Sequence, residues 1–494
     1  MDTILLHPND NVKVVSQSKN ARIPPGTKIA IADIAEGAPI IKFGVVIGSA
    51  GKSIAVGDRV DHTVMVEGEN PLISKHISNQ PDFPIVPERL AHFDGYLNEN
   101  GEVGTRNYLC IITSVHCVSG IAGHAVARIR EELLPRYPNV DGVVLLNHSY
   151  GCGVAIDANE AHIPRNTLSN LALNPNFGGY ALFVGLGCEK LRHQMMLASL
   201  SDRSGPPRLA HDSLYFQSVE GRGFASIVSA ICEKAEKALE RLNTRKRQKV
   251  PISKLTIGMQ CGGSDAFSGI TANPVLGRMS DILIASGGAT IFSENTECMD
   301  AEAYLMERCA SEEVGKALKS EFDWYRAYLA RSGVDRTANT TPGNKAGGLS
   351  TIVEKALGSI AKAGQSTIVD VIPAGERLRL KGLNYLSGPA NDFICGTLQL
   401  AAGANIHVFT TGRGTPYSID GFPVVKVSSN TELYQKWFDI IDFDAGDVAR
   451  GRCLSASALT LLELLIKIAS GERTAAECLG ISNEIVLFNP APIT

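Results

Sequence analysis

Gly258-Met259-Gln260-Cys261-Gly262-Gly263-Ser264-Asp265-Ala266-Phe267-Ser268-Gly269 follows the short apolar run Leu255-Thr256-Ile257 and leads into Ile270-Thr271-Ala272-Asn273-Pro274. The apolar run reads as a buried strand, and the small residues after it as a loop at the strand's end. Glycines there let the backbone approach a ligand closely and adopt positive φ, and they leave amide N–H groups available to an anion. The thiol of Cys261 and the carboxylate of Asp265, four residues apart, add groups suited to chemistry. The plain structural alternative is a glycine-rich turn over a buried cysteine.

The same pattern recurs upstream. Tyr108-Leu109-Cys110-Ile111-Ile112 ends in Thr113-Ser114-Val115-His116-Cys117-Val118-Ser119-Gly120, with a helical pattern from Ile121 to Leu134. Gly142-Val143-Val144-Leu145-Leu146 ends in Asn147-His148-Ser149-Tyr150-Gly151-Cys152-Gly153, and Tyr180-Ala181-Leu182-Phe183-Val184 in Gly185-Leu186-Gly187-Cys188-Glu189-Lys190. Strand, loop and helix in repetition predict an α/β multidomain chain, in which ligands gather at the carboxyl ends of the strands. Strands are expected at 255–258, 281–285, 367–372 and 405–409, with helix over 299–332, where Trp324 and Tyr325 are expected to pack.

Four segments follow from the punctuation. Residues 1–70 carry short alternating runs broken by Pro24-Pro25-Gly26 and Val56-Gly57-Asp58, and read as a small clip-like β module. Residues 71–95, with Pro71, Pro81, Pro84 and Pro87, read as an extended linker. A middle α/β domain spans 96–250, ending in a charged helical stretch over 233–249, and a C-terminal α/β domain spans 251–494. With 494 residues, 44% hydrophobic and 20% charged, each domain can bury a core. The net charge of -4 gives no reason to expect nucleic acid as a partner, although a local pocket can still be basic. No signal peptide or apolar run of about 18 residues appears, so a cytoplasmic protein without membrane contact is expected. The 11 cysteines are then expected as reduced thiols, and no CxxC pair supports a zinc ribbon.

Common signatures are missing. Gly185-Leu186-Gly187 lacks the third glycine of a dinucleotide fingerprint, Pro342-Gly343-Asn344-Lys345 is not a phosphate loop, and no G-x-S-x-G elbow occurs. What remains is a set of titratable residues on glycine-rich loops. Cys152, Cys188 and Cys261 flank glycines, and His116 and His148 sit at comparable strand ends; thiolate with imidazole favours iron or zinc. Arg413, in Thr410-Thr411-Gly412-Arg413-Gly414-Thr415-Pro416-Tyr417, presents a planar fork suited to a carboxylate, and Lys345 is a second cation or a base. A surface salt bridge is the alternative for either cation.

Across nearly the whole length these motifs resemble the galactarate/altronate dehydratase family. Gly104-Thr105-Arg106-Asn107, Tyr137-Pro138-Asn139-Val140-Asp141, Asn174-Pro175-Asn176-Phe177, the opening stretch, Glu354-Lys355-Ala356-Leu357-Gly358-Ser359 and Phe488-Asn489-Pro490-Ala491-Pro492 carry the likeness. The altronate branch has Gly-Cys where this chain has His116-Cys117 and lacks the terminal Asn-Pro-Ala-Pro, so the galactarate branch is favoured. The resemblance implies a β-clip (SAF-like) N-terminal module, a dimerising middle domain and a Rossmann-like C-terminal domain with a mainly parallel sheet. It implies iron-dependent dehydration of galactarate, a sugar diacid, to 5-dehydro-4-deoxy-D-glucarate by α-proton abstraction and β-hydroxyl loss, in a homodimer. Altronate or another sugar acid is the alternative substrate, and a sugar-acid-binding regulator the alternative outside enzymes.

On that reading His148 or Lys345 is the base and His116 or His7 the acid, His7 being drawn in because the family carries a His before a pair matching Asp10-Asn11. Arg413, the Gly262-Gly263-Ser264 amides, Thr411 and Asn344 are expected around the substrate carboxylates. Metal ligands come from Cys152, Cys188, Cys261, Asp265 and Glu294, with His148 a further candidate. The thiols suit soft iron, even as an iron–sulfur cluster; the carboxylates suit a single Fe2+ or another divalent ion.

Overall fold

The computed structural model describes residues 1–20, 22–67, 86–201, 209–221 and 223–491. At the N-terminus, alternating short runs make two small antiparallel sheets. One holds Asp2–Ile4, Val12–Gln17, Lys28–Ala30 and Arg59–Val60; the other holds Pro39–Lys42, Val45–Ala50 and Met65–Val66. Val12, Ile34, Ile40, Ile47, Ile54 and Val60 close between them. Phe43 and Gly44, both at positive φ (58° and 74°), form the two-residue turn between Lys42 and Val45, the geometry that matches strand twist in a hairpin.

The middle domain is a parallel sheet in the order Gly142–Leu146, Tyr108–Thr113, Tyr180–Gly185, Ala210–Tyr215. Its first three strands are near-continuous apolar runs because helices cover both faces, whereas the edge strand Ala210–Tyr215 is largely polar and half-buried. The C-terminal domain carries seven parallel strands in the order Ile368–Ile372, Gly382–Leu386, Ala289–Phe292, Thr256–Cys261, Ile406–Thr411, Val424–Ser428, Phe443–Asp444. From Thr256–Cys261 the chain first builds outward on one side, then crosses back to Ile406–Thr411 on the other. That reversal is the switch point at which open α/β sheets bind ligands, and Cys261 ends its first strand. Among the described residues no helix is long and apolar enough to cross a membrane.

The chain's start, middle and end are bolted together by polar groups. His92–Leu97 pairs antiparallel with Gln248–Pro251 and Val103–Gly104, so the end of the expected linker is a strand. Residues 71–85 of that linker lie outside the described residues. The Gly104-Thr105-Arg106-Asn107 motif is a joint: Thr105 Oγ1 donates to Asn405 O at 2.7 Å, and the Arg106 guanidinium makes two 2.8 Å bonds to the Glu477 carboxylate. Asn174 Nδ2 donates to Leu400 O and Ala404 O, each at 2.8 Å.

Three expectations change. Residues 281–285 are not a strand but the end of the helix Ala272–Ala285; a short apolar run has no periodicity of its own, and Gly287-Gly288 end it in either conformation. The neighbouring strand is Ala289–Phe292. The stretch 299–332 is broken into Glu302–Glu307 and Glu312–Arg331, the second capped by Ser311, whose side chain accepts from Val314 N. The charged stretch 233–249 belongs to a longer helix, Gly223–Asn243, and its end is strand. Trp324 and Tyr325 do pack, Trp324 stacking on Tyr328 with ring centroids 5.8 Å apart.

The N-terminal module docks on the C-terminal domain through Glu354. Its Oε2 lies 2.9 Å from Lys28 Nζ and its Oε1 2.8 Å from Lys42 Nζ, all side chains at most 1% exposed. Burial alone raises a carboxyl pKa, but the two ammonium groups outweigh it and hold Glu354 at about 2. Glu354→Gln leaves two buried ammonium groups without their counter-ion. Denaturant melts of the full chain should show a loss of about 3–5 kcal/mol; a loss within about 0.5 kcal/mol, typical of surface sites, would show that the joint carries no weight.

His407 gives a pH dependence. Its ring lies among Phe409, Tyr417 and Phe422, with centroids 5.2–6.2 Å away, and burial lowers its pKa to about 3. The unfolded chain, with a value near 6.5, takes the proton first, so stability falls as pH drops through 6.5 toward 3, by about 1.4 kcal/mol per unit. Urea melts at pH 6.5 and 5.0 should show that slope in the wild type and a shallower one in His407→Phe.

Candidate active site

Three chain segments meet under the end of the strand Thr256–Cys261. Cys261 Sγ and one carboxylate oxygen each from Glu294 and Glu297 lie within 4.8 Å of one another. Glu294 follows the strand Ala289–Phe292 with φ 84°, a left-handed conformation rare for a residue with a Cβ and costly unless its surroundings hold it there. The short helix Asn295–Cys298 then carries Glu297. From the other side Lys362 Nζ reaches Glu294 Oε2 at 2.6 Å, Ser359 Oγ at 2.5 Å and Cys261 Sγ at 3.4 Å. Lys355 Nζ bonds Glu297 Oε1 at 2.9 Å. Cys261, Glu294, Glu297 and Lys362 are at most 3% exposed.

Burial pushes the Cys261 thiol up to about 12 and keeps it protonated. Burial also pushes Glu294 up to about 8, against the pull of the Lys362 ammonium and with the help of the Glu297 carboxylate. Glu297 is held below the usual range because Lys355 and Lys362 outweigh its burial. Lys355 and Lys362 thus each pair with one carboxylate of the cluster, Lys355 with Glu297 and Lys362 with Glu294. A thiol and two carboxylates form a mixed soft and hard donor set of the kind first-row divalent ions accept, and the group is a possible metal site. Ligation there would release the thiol proton. Lys362 supplies the positive charge that such an ion would otherwise bring.

Beside this cluster a cleft of about 760 Å³ runs between the N-terminal module and the C-terminal domain. Gly26, Lys28 and Arg59 line one wall; Asp265, Gly347, Gly412, Arg413 and Asn430 line the other. Its cations are Lys19, Lys28, Arg59, Arg413 and Arg450, of which Lys28 is spent on Glu354 and Arg59 on Asp61. Arg413 carries no side-chain ion pair among the described residues, so its fork is available to a carboxylate. A small polar cavity of about 10 Å³, lined by Lys42, Phe43, Ser264, Asp265, Lys355 and Ser359 among others, lies between cleft and cluster. Asp265 borders both spaces, and Ser359 touches Cys261 Sγ at 3.4 Å.

The residues singled out in the sequence fall into separate places. Cys261 and Glu294 come together. Asp265 does not join them: its Oδ1 accepts from Phe267 N, Ser268 N, Ser268 Oγ and Ser429 Oγ at 2.8–3.1 Å, and its Oδ2 from Asn430 Nδ2 at 3.1 Å. It clamps the two loops of the cleft wall, and any side chain at Gly412 would collide with its carboxylate. Asn344 is another clamp, its Nδ2 donating to Ser264 O at 2.9 Å and its Oδ1 capping its own helix at Thr341. Thr411 Oγ1 accepts from Gly414 N at 3.1 Å, and Gly263, at φ 60°, turns the chain beneath it. A side chain at Gly262 would strike Phe409 and Asp392, so this glycine serves close packing. Lys345 lies in the short helix Pro342–Ala346, two residues before cleft-lining Gly347. The His7 ring rests on Gly44, beside cavity-lining Phe43.

His116, His148, Cys152 and Cys188 stand on the middle sheet and share no donor group with Cys261. His148 Nε2 faces Thr113 O at 2.7 Å and its Nδ1 accepts from Tyr150 N at 3.1 Å. Both ring nitrogens are engaged, and burial lowers its pKa to about 4. A base needs a free lone pair, and in this structure both ring nitrogens of His148 brace the loops around Thr113 and Tyr150.

Glu297, Lys355, Ser359 and Lys362 escaped the sequence reading. Glu297 stands in the same polar loop as Glu294, so its signal was present. Lys362 hides in Ile360-Ala361-Lys362-Ala363, 101 positions from Cys261, where nothing local marks it. Asp392 opens the helix Asp392–Ala401; burial raises it to about 6, and its Oδ1 accepts from Gln260 Nε2 at 3.2 Å.

Three family models divide the chain between them. The Altronate/galactarate dehydratase SAF domain matches residues 1–68, the D-galactarate dehydratase/Altronate hydrolase second domain 95–243, and the D-galactarate/Altronate dehydratase C-terminal domain 252–493. The chain is 44% identical to galactarate dehydratase (L-threo-forming) of Escherichia coli (strain K12), over 99% of this chain and 97% of that protein. It is 37% identical to altronate dehydratase of the same organism, over 95% and 91%. The (2R)-sulfolactate sulfo-lyase subunit beta of Chromohalobacter salexigens is 30% identical over 78% of this chain and 95% of its own length. Cluster, cleft and switch point thus belong to a mixed α/β chain whose three matched segments all fall in one family, and the chain is a member of the galactarate/altronate dehydratase family.

Proposed function

We propose that the chain is a hydro-lyase that converts galactarate to 5-dehydro-4-deoxy-D-glucarate and water. The observation that carries the substrate is the 44% identity to galactarate dehydratase across 99% of the chain, against 37% to altronate dehydratase. We read residues 1–70 as a β-clip, 96–250 as the dimerising middle domain and 251–494 as a Rossmann-like domain, in a cytoplasmic homodimer.

The chemistry starts from a poor acid. A proton α to an ionised carboxylate leaves only if the dianion left behind is stabilised. Fe2+ held by Cys261, Glu294 and Glu297 would supply that stabilisation as a Lewis acid. The residues do the rest. Arg413 pairs with one substrate carboxylate and fixes the diacid along the cleft. Ser264, at the end of the Gly262-Gly263-Ser264 segment, lines the inner cavity. Asp265, bonded to both wall loops, keeps Arg413 and the glycine loop in register. With His148 engaged elsewhere, Lys345 is the candidate base and His7, against the Phe43-Gly44 turn, the candidate acid for the leaving hydroxyl. Lys42 and Lys355 line the inner cavity together with the Glu354 and Asp265 carboxylates, so charged groups of both signs face that space.

The direct test is an anaerobic assay of the purified chain with Fe2+ and either galactarate or altronate. A 2-keto product from galactarate, with slower turnover of altronate, is the expected outcome. No product from galactarate with or without iron removes the dehydratase reading, and equal turnover of altronate removes the substrate assignment. Two variants test the roles. Arg413→Ala should raise KM for galactarate about 10–100-fold, the worth of a charge-assisted bond of about 1.5–3 kcal/mol. Lys345→Ala should lower kcat by about 10²–10⁴ with little change in KM. An unchanged kcat would take Lys345 out of the proton transfer.

A further inference from the structure

We infer that the carboxyl edge of the middle sheet is a second metal site, built for an iron–sulfur cluster held by the thiolates of Cys117, Cys152 and Cys188. The inference stands on the middle sheet alone and does not depend on the function proposed for the C-terminal cleft.

The three cysteines follow three strands that are neighbours in the sheet: Cys152 after Gly142–Leu146, Cys117 after Tyr108–Thr113 and Cys188 after Tyr180–Gly185. The loops converge on Ser114 and Val115. A side chain at Gly151, next to Cys152, would collide with Ser114 O and stand 3.2 Å from Val115 Cα. Glu189, next to Cys188, accepts from Ser114 Oγ and from Gly187 N at 2.6 Å. Cys117 lies two residues beyond Val115 in the turn His116–Val118, and His116 Nδ1 lies 3.2 Å from His148 O. Each thiol therefore stands within a few residues of one common contact.

The backbone around the thiols is shaped to present them. Gly151 and Gly153, at φ 108° and 63°, bracket Cys152, and Gly187 at φ 125° precedes Cys188; a side chain at these positions would be strained. All three cysteines are exposed, and none makes a thiol hydrogen bond among the described residues. The chain's buried cysteines, such as Cys110 and Cys298, lie in its apolar cores instead.

The reach of three neighbouring loops suits a cluster better than a single ion. Among the described residues only Cys261, Glu294 and Glu297 bring three donor atoms within 4.8 Å, so the three thiols do not close on one ion. Adjacent strands lie about 4.8 Å apart, so three loops span about 10 Å at the sheet edge. A cluster of soft iron bridged by sulfide fills such a span, and cysteine thiolates are its usual ligands. On ligation each S–H bond gives up its proton and an Fe–S bond forms, with iron and sulfide supplied from outside the chain. Three cysteines leave one iron of a four-iron cluster without a thiolate, open to an oxygen ligand such as a hydroxyl or carboxylate.

The full-length protein should be reconstituted anaerobically with iron and sulfide, desalted, and analysed for iron and acid-labile sulfide. About four of each per chain, with a Mössbauer spectrum of a cluster, is expected. Cys117→Ser, Cys152→Ser and Cys188→Ser should each lose the labile sulfide, whereas Cys261→Ser should keep it. Differential alkylation read by mass spectrometry gives a check without variants: reconstitution should protect Cys117, Cys152 and Cys188 together, while exposed Cys453 and Cys478 still react. Wild-type protein without labile sulfide, zinc in its place, or serine variants with full sulfide would each overturn the cluster. Protein that stays sulfide-free after reconstitution overturns the cluster whether or not it turns over galactarate; cluster-bearing protein without turnover leaves the cluster standing and removes the dehydratase reading.

Discussion

A single buried carboxylate holds the molecule's working geometry together. Glu354 stands between Lys28 and Lys42, one ammonium on each oxygen, with Lys28 also donating to Gly348 O and Ser350 Oγ. Two positive charges share one negative charge out of contact with water. Such an arrangement yields little net stability relative to an apolar contact, because desolvation offsets most of the attraction. Its strength is directional. The N-terminal module can sit on the C-terminal domain in only one way that pairs both lysines, and that placement makes the cleft.

The second constraint is topological. Reversal of strand order at Thr256–Cys261 opens a crevice at the strand ends, and the glycine loop falls into it. The loop then divides its labour. Cys261 turns inward to Glu294, Glu297 and Lys362, while Asp265, four residues later, locks the cleft wall through Ser429 and Asn430. Two residues that look alike in a sequence motif thus serve different parts, one at the charged cluster and one at the rigid frame around the substrate space.

Most of the architecture was legible because parallel strands buried on both faces read as unbroken apolar runs followed by small residues. Tyr108–Thr113, Gly142–Leu146 and Tyr180–Gly185 are of this kind. The reading failed at 281–285, where an apolar run inside a buried helix has the composition of a strand. The site was legible only in part. Cys261 and Glu294 sit next to glycine or polar neighbours that advertise them, but Lys362 sits in a run of small and apolar residues and gains its meaning from tertiary packing alone. His148 is the converse case. A histidine at a strand end looks chemical, and only its two ring partners show that it braces a loop.

Beside the Arg106–Glu477 pair, the joint between the middle and C-terminal domains reads peptide groups. Thr105, Asn174 and Asn176 all donate to main-chain carbonyls, those of Leu400, Ala404, Asn405 and Gly421. The two sides of the seam therefore evolve under different rules. On the donor side, replacing an asparagine strands two buried acceptors; on the acceptor side, a side chain can change without touching the bond as long as the backbone keeps its path. Substitution is therefore tolerated more readily at Leu400 and Ala404, which give only their carbonyls, than at Asn174, whose one amide serves both.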